Sequence, residues 1–405
     1  MPHVVVMVTS SYPRFPGDGV GSFVEPIAKG VAALGHEVHL VAPWHPAITR
    51  SQAEDGVAFH FFRYAPAPSL NLFGYAAAMQ ADTKLRGAAW AVAPIALAAG
   101  WFKAWRVATT RRATVLHAHW VLPSGLIAAE AAGHRPVVVS LHGSDVFVAE
   151  RSVLAGRAAR HAFRRAGWVT ACSDDLRARA VSLGADPARI ETVPYGVDVA
   201  RFAPDPAARR DVRAARGLGS APVVFAAGRL VSKKGFEYLI DAAGPLAAAF
   251  PALRVLIAGG GDLHGALAER VARQGAPVTL LGNLSQAEIA RWTAAADVIA
   301  VPSIRDDAGN VDGLPNFALE ALASGTPVVA TTAGGLPQAI ADGANGRLVP
   351  ERAPDALAAT IADLLHHPER AAAFGAAARE RAGRDFSWRA AAGRFVAAYD
   401  RAGRH

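Results

Sequence analysis

An α/β chain built of two doubly wound, parallel-sheet domains is what this sequence predicts. Short β-branched runs alternate along it with longer, Ala-rich segments of helical period, the pattern of repeated βαβ units. Residues 194–206, rich in Pro, Gly and Asp, break both periods near the midpoint and read as an interdomain linker. A length of 405 residues is enough for two domains that each bury a core.

Taken in order, the strands expected in the first half are residues 3–8, 37–42, 57–62, 115–118, 136–141, 168–171 and 190–193. The second half repeats the theme at 222–226, 254–258, 278–281, 297–301 and 327–331. Residues 386–402 have helical spacing again. The expected domains are therefore 1–196 and 197–385, followed by a closing helical segment, 386–405. Ligands of open parallel sheets sit at the carboxyl ends of the strands, so the loops after each strand are the expected site walls, facing each other across a cleft.

Composition agrees with a globular protein: 52% of residues are hydrophobic and 19% charged, with no low-complexity tract. One cysteine, Cys172, forms no internal disulfide and points to a reducing, cytoplasmic address, and its apolar surroundings GWVTAC mark it as a buried, inert thiol. Residues 1–9 lack a basic leader, so no secretory signal is expected. No stretch is apolar enough for a membrane span, residues 87–102 coming nearest.

The net charge of +8 is unevenly spread, because residues 83–129 contain no acidic residue. Lys84, Arg86, Lys103, Arg106, Arg111 and Arg112 share it with Trp90, Trp101, Phe102 and Trp105. Interleaved cations and aromatics suit an anionic membrane surface or a phosphorylated lipid, and a helix packed on the sheet with a solvated basic face is the plainer alternative. No recognised nucleic-acid module is present.

Five loops carry candidate chemistry. Gly228, Arg229, Lys233, Lys234 and Gly235, in GRLVSKKG, put fixed positive charge after a strand, where a diphosphate would need it. Asp312, Gly313, Leu314, Pro315, Asn316, Phe317 and Glu320 join a loop carboxylate to a helix start, whose unpaired N–H groups suit phosphate. Glu320, a turn into that helix, is a carboxylate that accepts two ribose hydroxyls. Gly17, Gly19 and Gly21 follow the first strand and lead into a helix expected near Val20. His142 ends the apolar run VVVSLH and is expected at the sheet rim facing the cleft, with Asp145 on the same loop. His117 and His119 read as core or loop-bracing residues, and no metal site is expected, because the histidine pair has no carboxylate at ligand spacing.

DGLPNFALEALASGTPVVATTAGG, residues 312–335, resembles the donor-site signature of the family 4 (group 1) glycosyltransferases, and the resemblance extends over nearly the whole chain. It implies the GT-B fold, two Rossmann-like domains with the active site between them, and transfer of a sugar from a nucleoside-diphosphate donor to a hydroxyl acceptor with retention of configuration. It further implies that Arg229 and Lys234 clamp the donor diphosphate and that His142 and Asp312 contact the donor sugar. Gly19 approaches the β-phosphate or the acceptor, Gly228 belongs to the clamp loop, and Gly260 and Leu284 line the nucleoside. No metal or other cofactor is implied, the sugar nucleotide being a co-substrate, and the acceptor expected is a cell-envelope glycolipid or polysaccharide precursor. Asp312 stands where the family usually has Glu, Gln338 where Glu is frequent, and Tyr195 where Asn is common. A non-catalytic sugar-nucleotide binder is one rival, motivated by Asp312 and Gln338. An NAD-dependent dehydrogenase is another, but the chain lacks its glycine fingerprint.

Overall fold

The structure is a computed structural model that describes every residue except 1, 66, 68–70, 72–73, 76–78, 81–83, 86 and 405, and the side chains of 79–80, 84–85 and 87–91 are left aside. The chain divides into two compact units, Met1–Gly196 with Trp388–His405, and Val197–Ser387.

In the first unit the strands are β1 Val4–Thr9, β2 Glu37–Pro43, β3 Ala53–Glu54, β4 Val57–Phe62, β5 Met79–Gln80, β6 Lys84–Leu85, β7 Val115–His119, β8 Val137–Leu141, β9 Trp168–Ala171 and β10 Ile190–Thr192. Eight of them form one sheet in the order β10-β9-β8-β7-β1-β2-β4-β3, while β5 and β6 pair separately. Every neighbour in the eight-stranded sheet is parallel except β3 with β4. Central β1 shows why: Val5 lies between Val38 of β2 and Val115 of β7, all three fully or almost fully buried. Strands covered on both faces read as unbroken apolar runs, which is how VVVMV reads here.

The second unit holds β11 Val223–Ala227, β12 Arg254–Ala258, β13 Val278–Gly282, β14 Val298–Val301, β15 Val328–Thr331 and β16 Arg347–Val349. Their order is β13-β12-β11-β14-β15-β16, parallel throughout. The order reverses at β11, the switch point beside which such sheets bind ligands. The two ends of this unit are tied together, since Val197 N–H donates to the Phe386 carbonyl oxygen at 2.7 Å.

The helix Trp388–Ala402 belongs to the first unit and completes its core: Ala392, Phe395, Ala398 and Tyr399 pack with Val5, Met7, Ile27 and Val31. Glycine makes the approach possible. Any side chain on Gly196 would overlap the Trp388 ring, and one on Gly30 would crowd the Ala392 methyl at 2.9 Å.

Two expectations need correction. The first helix starts at Val24, not near Val20, because Gly21 takes φ +65° and lies against the Ser11 carbonyl oxygen, keeping the chain in a turn through Phe23. The strands Ala53–Glu54 and Arg347–Val349 were not expected; at two and three residues they are too short to show alternation.

Within the acid-poor window, the helix Gly87–Thr110 exposes Trp101, Phe102 and Trp105, at 42%, 50% and 43%, together with Arg106. Thr83 and Arg86 lie outside the described residues, and so do the side chains of Lys84 and Trp90. Among the described residues no helix is long and apolar enough to cross a membrane.

Candidate active site

Because the strands of the second unit are parallel, the loops after β11, β12, β13, β14 and β15 gather at one edge of its sheet. Glycine lets their backbones touch. A methyl group on Gly259 would overlap the Gly228 carbonyl oxygen, and one on Gly334 or Gly335 would overlap the carbonyl oxygens of Asp312 and Gly313. Leu230 N–H donates to the Gly260 carbonyl at 2.9 Å, and Gly259 N–H to that of Gly282 at 2.7 Å. Leu284 follows, half-buried, and the Asn283 side chain lies against Gly260. The double glycine after β15 is thus what allows the 312–313 backbone to descend onto the sheet edge.

Lys233 and Lys234 end the short helical turn Ser232–Lys234, closed by Gly235 in the left-handed region at φ +61°. Both ammonium groups meet Asp312, Lys233 Nζ at 3.0 Å from Oδ1 and Lys234 Nζ at 2.5 Å from Oδ2. Burial pushes the Asp312 carboxyl up, but Lys234 and Lys233 outweigh it and hold its pKa down at about 2. The Lys234 stem runs along Gly228, its Cε 3.4 Å from where a Cβ would stand, so the glycine leaves room for that lysine. Arg229 is exposed at the same strand end.

The helix Asn316–Ser324 begins at Pro315 without any side-chain cap, which leaves its first N–H groups directed out of the helix end. Leu314 and Phe317 are buried, and Phe317 meets Phe225 edge-on at 5.7 Å, so only their backbone is available to a ligand. Asn316 is exposed and Glu320 half-buried. Burial pushes the Glu320 carboxyl up to about 7, opposed by a hydrogen bond from Gln286 and by the charges of Arg201 and Lys234. Cations at a strand end, an open helix start and a carboxylate one turn in are the parts that hold a diphosphate and a neighbouring diol.

The first unit gathers a second set of loops after β1, β7, β8 and β10. Asp18 organises the first of them: its carboxylate accepts from Arg14 N at 3.0 Å, Arg14 Nε at 2.6 Å and Val20 N at 3.2 Å. The Arg14 hydrogen bond holds the Asp18 pKa down at about 2. Gly19 stands exposed beside it with open space around its α-carbon, whereas Gly21 is the glycine that the turn requires.

His142 is half-buried with both ring nitrogens engaged, Nδ1 with the Tyr195 hydroxyl at 2.6 Å and Nε2 with His119 Nδ1 at 3.1 Å. Burial and the neighbouring His119 hold its pKa below the ordinary range, so the imidazole is neutral at pH 7. Its ring meets that of Phe23 at a 45° tilt, centroids 4.5 Å apart. Asp145 is buried and accepts from the N–H groups of Val121 at 2.7 Å and Gly143 at 3.0 Å, bracing the ends of β7 and β8 together. His117 and His119 are fully buried, His117 between the Tyr399 hydroxyl and Ser140 Oγ, and Cys172 is a buried thiol outside any disulfide.

Sequence reasoning took Lys233 only as part of the basic run and gave Asp18 and Tyr195 no role in the site. The signal for Asp18 was its position between loop glycines. Among the described residues no cluster of His, Cys, Asp or Glu is arranged to hold a metal ion.

Two Rossmann-like units, each with its loops gathered at a carboxyl edge, define the GT-B fold. Solved structures of that architecture align over nearly the full length: Anabaena Alr3699/HepE in complex with UDP at TM-score 0.76 and 21% identity, covering 99% of this chain and all of that one, and sucrose-phosphate synthase from Thermosynechococcus elongatus at 0.75 and 22%, covering 98% of each. At such identities they show the fold alone. Residues 17–201 match the family described as Glycosyltransferase Family 4, and residues 221–367 match Glycosyl transferases group 1. A GDP-mannose-dependent alpha-(1-6)-phosphatidylinositol monomannoside mannosyltransferase of Mycobacterium tuberculosis is 30% identical over 400 residues, 95% of this chain and 94% of the relative. Its namesake from Mycolicibacterium smegmatis is 39% identical over 268 residues, 64% of this chain and 69% of the relative. A D-inositol 3-phosphate glycosyltransferase of Segniliparus rotundus is 39% identical over 222 residues, 53% and 47% of the two chains. The chain belongs to the group 1, family 4 glycosyltransferases and is a glycosyltransferase, which removes the dehydrogenase and the non-catalytic binder as readings.

Proposed function

We propose that the protein transfers a mannosyl group from GDP-mannose to a hydroxyl of an inositol-containing glycolipid, with retention of configuration and without a metal ion. The observation that carries this reading is the single edge of the second unit where Lys234, Asp312, the uncapped start of Asn316–Ser324 and Glu320 stand together. The donor sugar and the acceptor class come from the named relatives, which are GDP-mannose-dependent and act on a phosphatidylinositol mannoside. In this scheme Arg229, Lys234 and the helix start neutralise the charge that grows on the departing diphosphate. Glu320 accepts the ribose hydroxyls, and Asp312 faces the transferred sugar. Retention follows if the acceptor oxygen attacks from the side of the leaving group, whose phosphate oxygen then takes the acceptor proton; no enzymic nucleophile is needed. A panel of nucleotide sugars assayed in excess chelator tests the whole reading. Turnover of GDP-mannose, as transfer or slow hydrolysis, is expected to survive the chelator. Activity that vanishes and returns with Mg²⁺ or Mn²⁺ defeats metal independence, and preference for a UDP-sugar defeats the donor assignment.

A lipid-borne acceptor requires access to a bilayer, and the exposed Trp101, Phe102 and Trp105 beside Lys103, Arg106 and Arg111 form the surface suited to it. On this reading the protein is peripheral, on the inner face of the membrane. Each Lys or Arg near an anionic leaflet contributes about 1 kcal/mol, so binding should be reversible and salt-sensitive. Vesicles with anionic lipid are expected to sediment the protein at low salt and release it at high salt. A protein that stays in the supernatant in both would reduce this helix to a packed one with a solvated face.

A further inference from the structure

We propose that Lys233 determines donor-sugar specificity: it holds Asp312 facing the hydroxyls of the transferred sugar, while Lys234 serves the diphosphate. The proposal rests on the donor-site reading above and divides two adjacent lysines that the sequence presents as one basic run.

Their placement is built in. The Lys233 carbonyl accepts from Ile304 N–H at 2.9 Å, which fixes the turn against the loop after β14, and any side chain on Gly235 would overlap the Pro302 carbonyl oxygen. From that turn each lysine takes one oxygen of Asp312, and all three side chains are mostly buried. One cation per oxygen fixes the carboxylate plane as a single cation does not. An ionised carboxylate offers about four lone-pair directions, so acceptor capacity remains for sugar hydroxyls after both lysines are served, Oδ2 itself being buried. A bound diphosphate competes with Asp312 for Lys234, whose stem lies along the Gly228 loop. Lys233 then remains as the group that keeps Asp312 in place. Asp312 is one methylene shorter than the Glu usual in the family, so its reach towards the sugar depends more on how it is held. The low Asp312 pKa agrees with this, since the carboxylate stays ionised throughout the working range.

The experiment compares Lys233→Met and Lys233→Arg with wild type, using intact donor in kinetics and the nucleoside diphosphate product in calorimetry. Lys233→Met is expected to lower kcat/KM for donor by about 10- to 100-fold, the usual weight of a lost charge-assisted contact, with product Kd changed by no more than about threefold. Lys233→Arg, which keeps the charge, should recover most of the loss. Monodeoxy donors supply a cycle: on the analogue lacking the hydroxyl that Asp312 holds, Lys233→Met should cost little more, because that contact is already gone. Asp312→Ala should show the same dependence. Equal losses for donor and product would make Lys233 a phosphate ligand and overturn the proposal, as would losses that add fully on every deoxy donor. Unchanged donor kinetics with intact product binding overturns it too and leaves the donor site standing. A wild-type protein that binds no nucleoside diphosphate overturns the donor site itself.

Discussion

Lys234→Ala and Arg229→Ala are each expected to lower turnover about 10²–10³-fold, the usual cost of removing one preorganised group that stabilises charge growing in the transition state. Lys234 carries the larger share of the argument, since its ammonium is held within the sheet-edge cluster by Asp312 at 2.5 Å. Truncating one member of a buried ion pair commonly destabilises a fold, but Asp312 keeps Lys233 at 3.0 Å, so Lys234→Ala should remain folded. Lys234→Arg separates charge from shape: the guanidinium keeps the charge but replaces a compact ammonium with a wide planar fork, and partial recovery is expected. Initial rates with GDP-mannose and melting temperatures together decide it. Near-normal rates in both alanine variants would place the leaving group elsewhere.

Glu320→Gln is expected to weaken nucleoside diphosphate binding about 10- to 100-fold, because hydrogen bonds to an ionised carboxylate are worth more than those to a neutral amide. The pH dependence gives this prediction a sign. Burial raises the Glu320 pKa to about 7 from an ordinary 4.5, so the folded empty site favours the protonated acid. The stability this group contributes is full below about 4.5 and is lost as pH rises through about 7. Ribose hydroxyls need the ionised form as acceptor, so affinity should move the other way, rising between about pH 6 and 8 by up to roughly tenfold per unit below the pKa. The diphosphate also titrates in this range, and Glu320→Gln supplies the baseline. Calorimetry in buffers of different ionisation enthalpy should show proton release near pH 7 in wild type and less in the variant. Parallel pH profiles for the two proteins would remove Glu320 from the ribose.

What was readable from sequence follows the range of the interactions involved. Residues 222–226, 254–258 and 327–331 announce strands because parallel strands covered on both faces must be apolar throughout, and a local run records that. Arg347–Val349 left no such record: three residues between Gly346 and Pro350 form an edge strand only because β15 lies beside them. The same distinction holds in the site. Arg229 and Lys234 were visible because a strand end followed by cations is a local pattern, whereas the joint grip of Lys233 and Lys234 on Asp312 depends on the loops after β11 and β14 converging at one sheet edge. His142 was placed on its loop by the apolar run before it, but the Tyr195 hydroxyl that engages it comes from after β10, which no local pattern records. Leu314 and Phe317 were read through the backbone of a helix start, and their burial leaves that backbone as the part available.

The helix Trp388–Ala402 has a consequence for the order in which the chain acquires structure during synthesis. The first unit lacks one wall of its core until residues 197–387, an entire second unit, have been made. At ribosomal speeds of about 5–20 residues per second that delay is roughly ten to forty seconds. Val197–Ser387 is continuous in sequence, so it can finish folding first even though it is translated second. Throughout that interval the apolar face of Val24–Ala33, with Ile27 and Val31, waits for Phe395 and Tyr399. A nascent chain in this state presents a greasy strip to chaperones and to other chains. Cellular yield should therefore be more sensitive to pauses in translating the second unit than to the final stability of either.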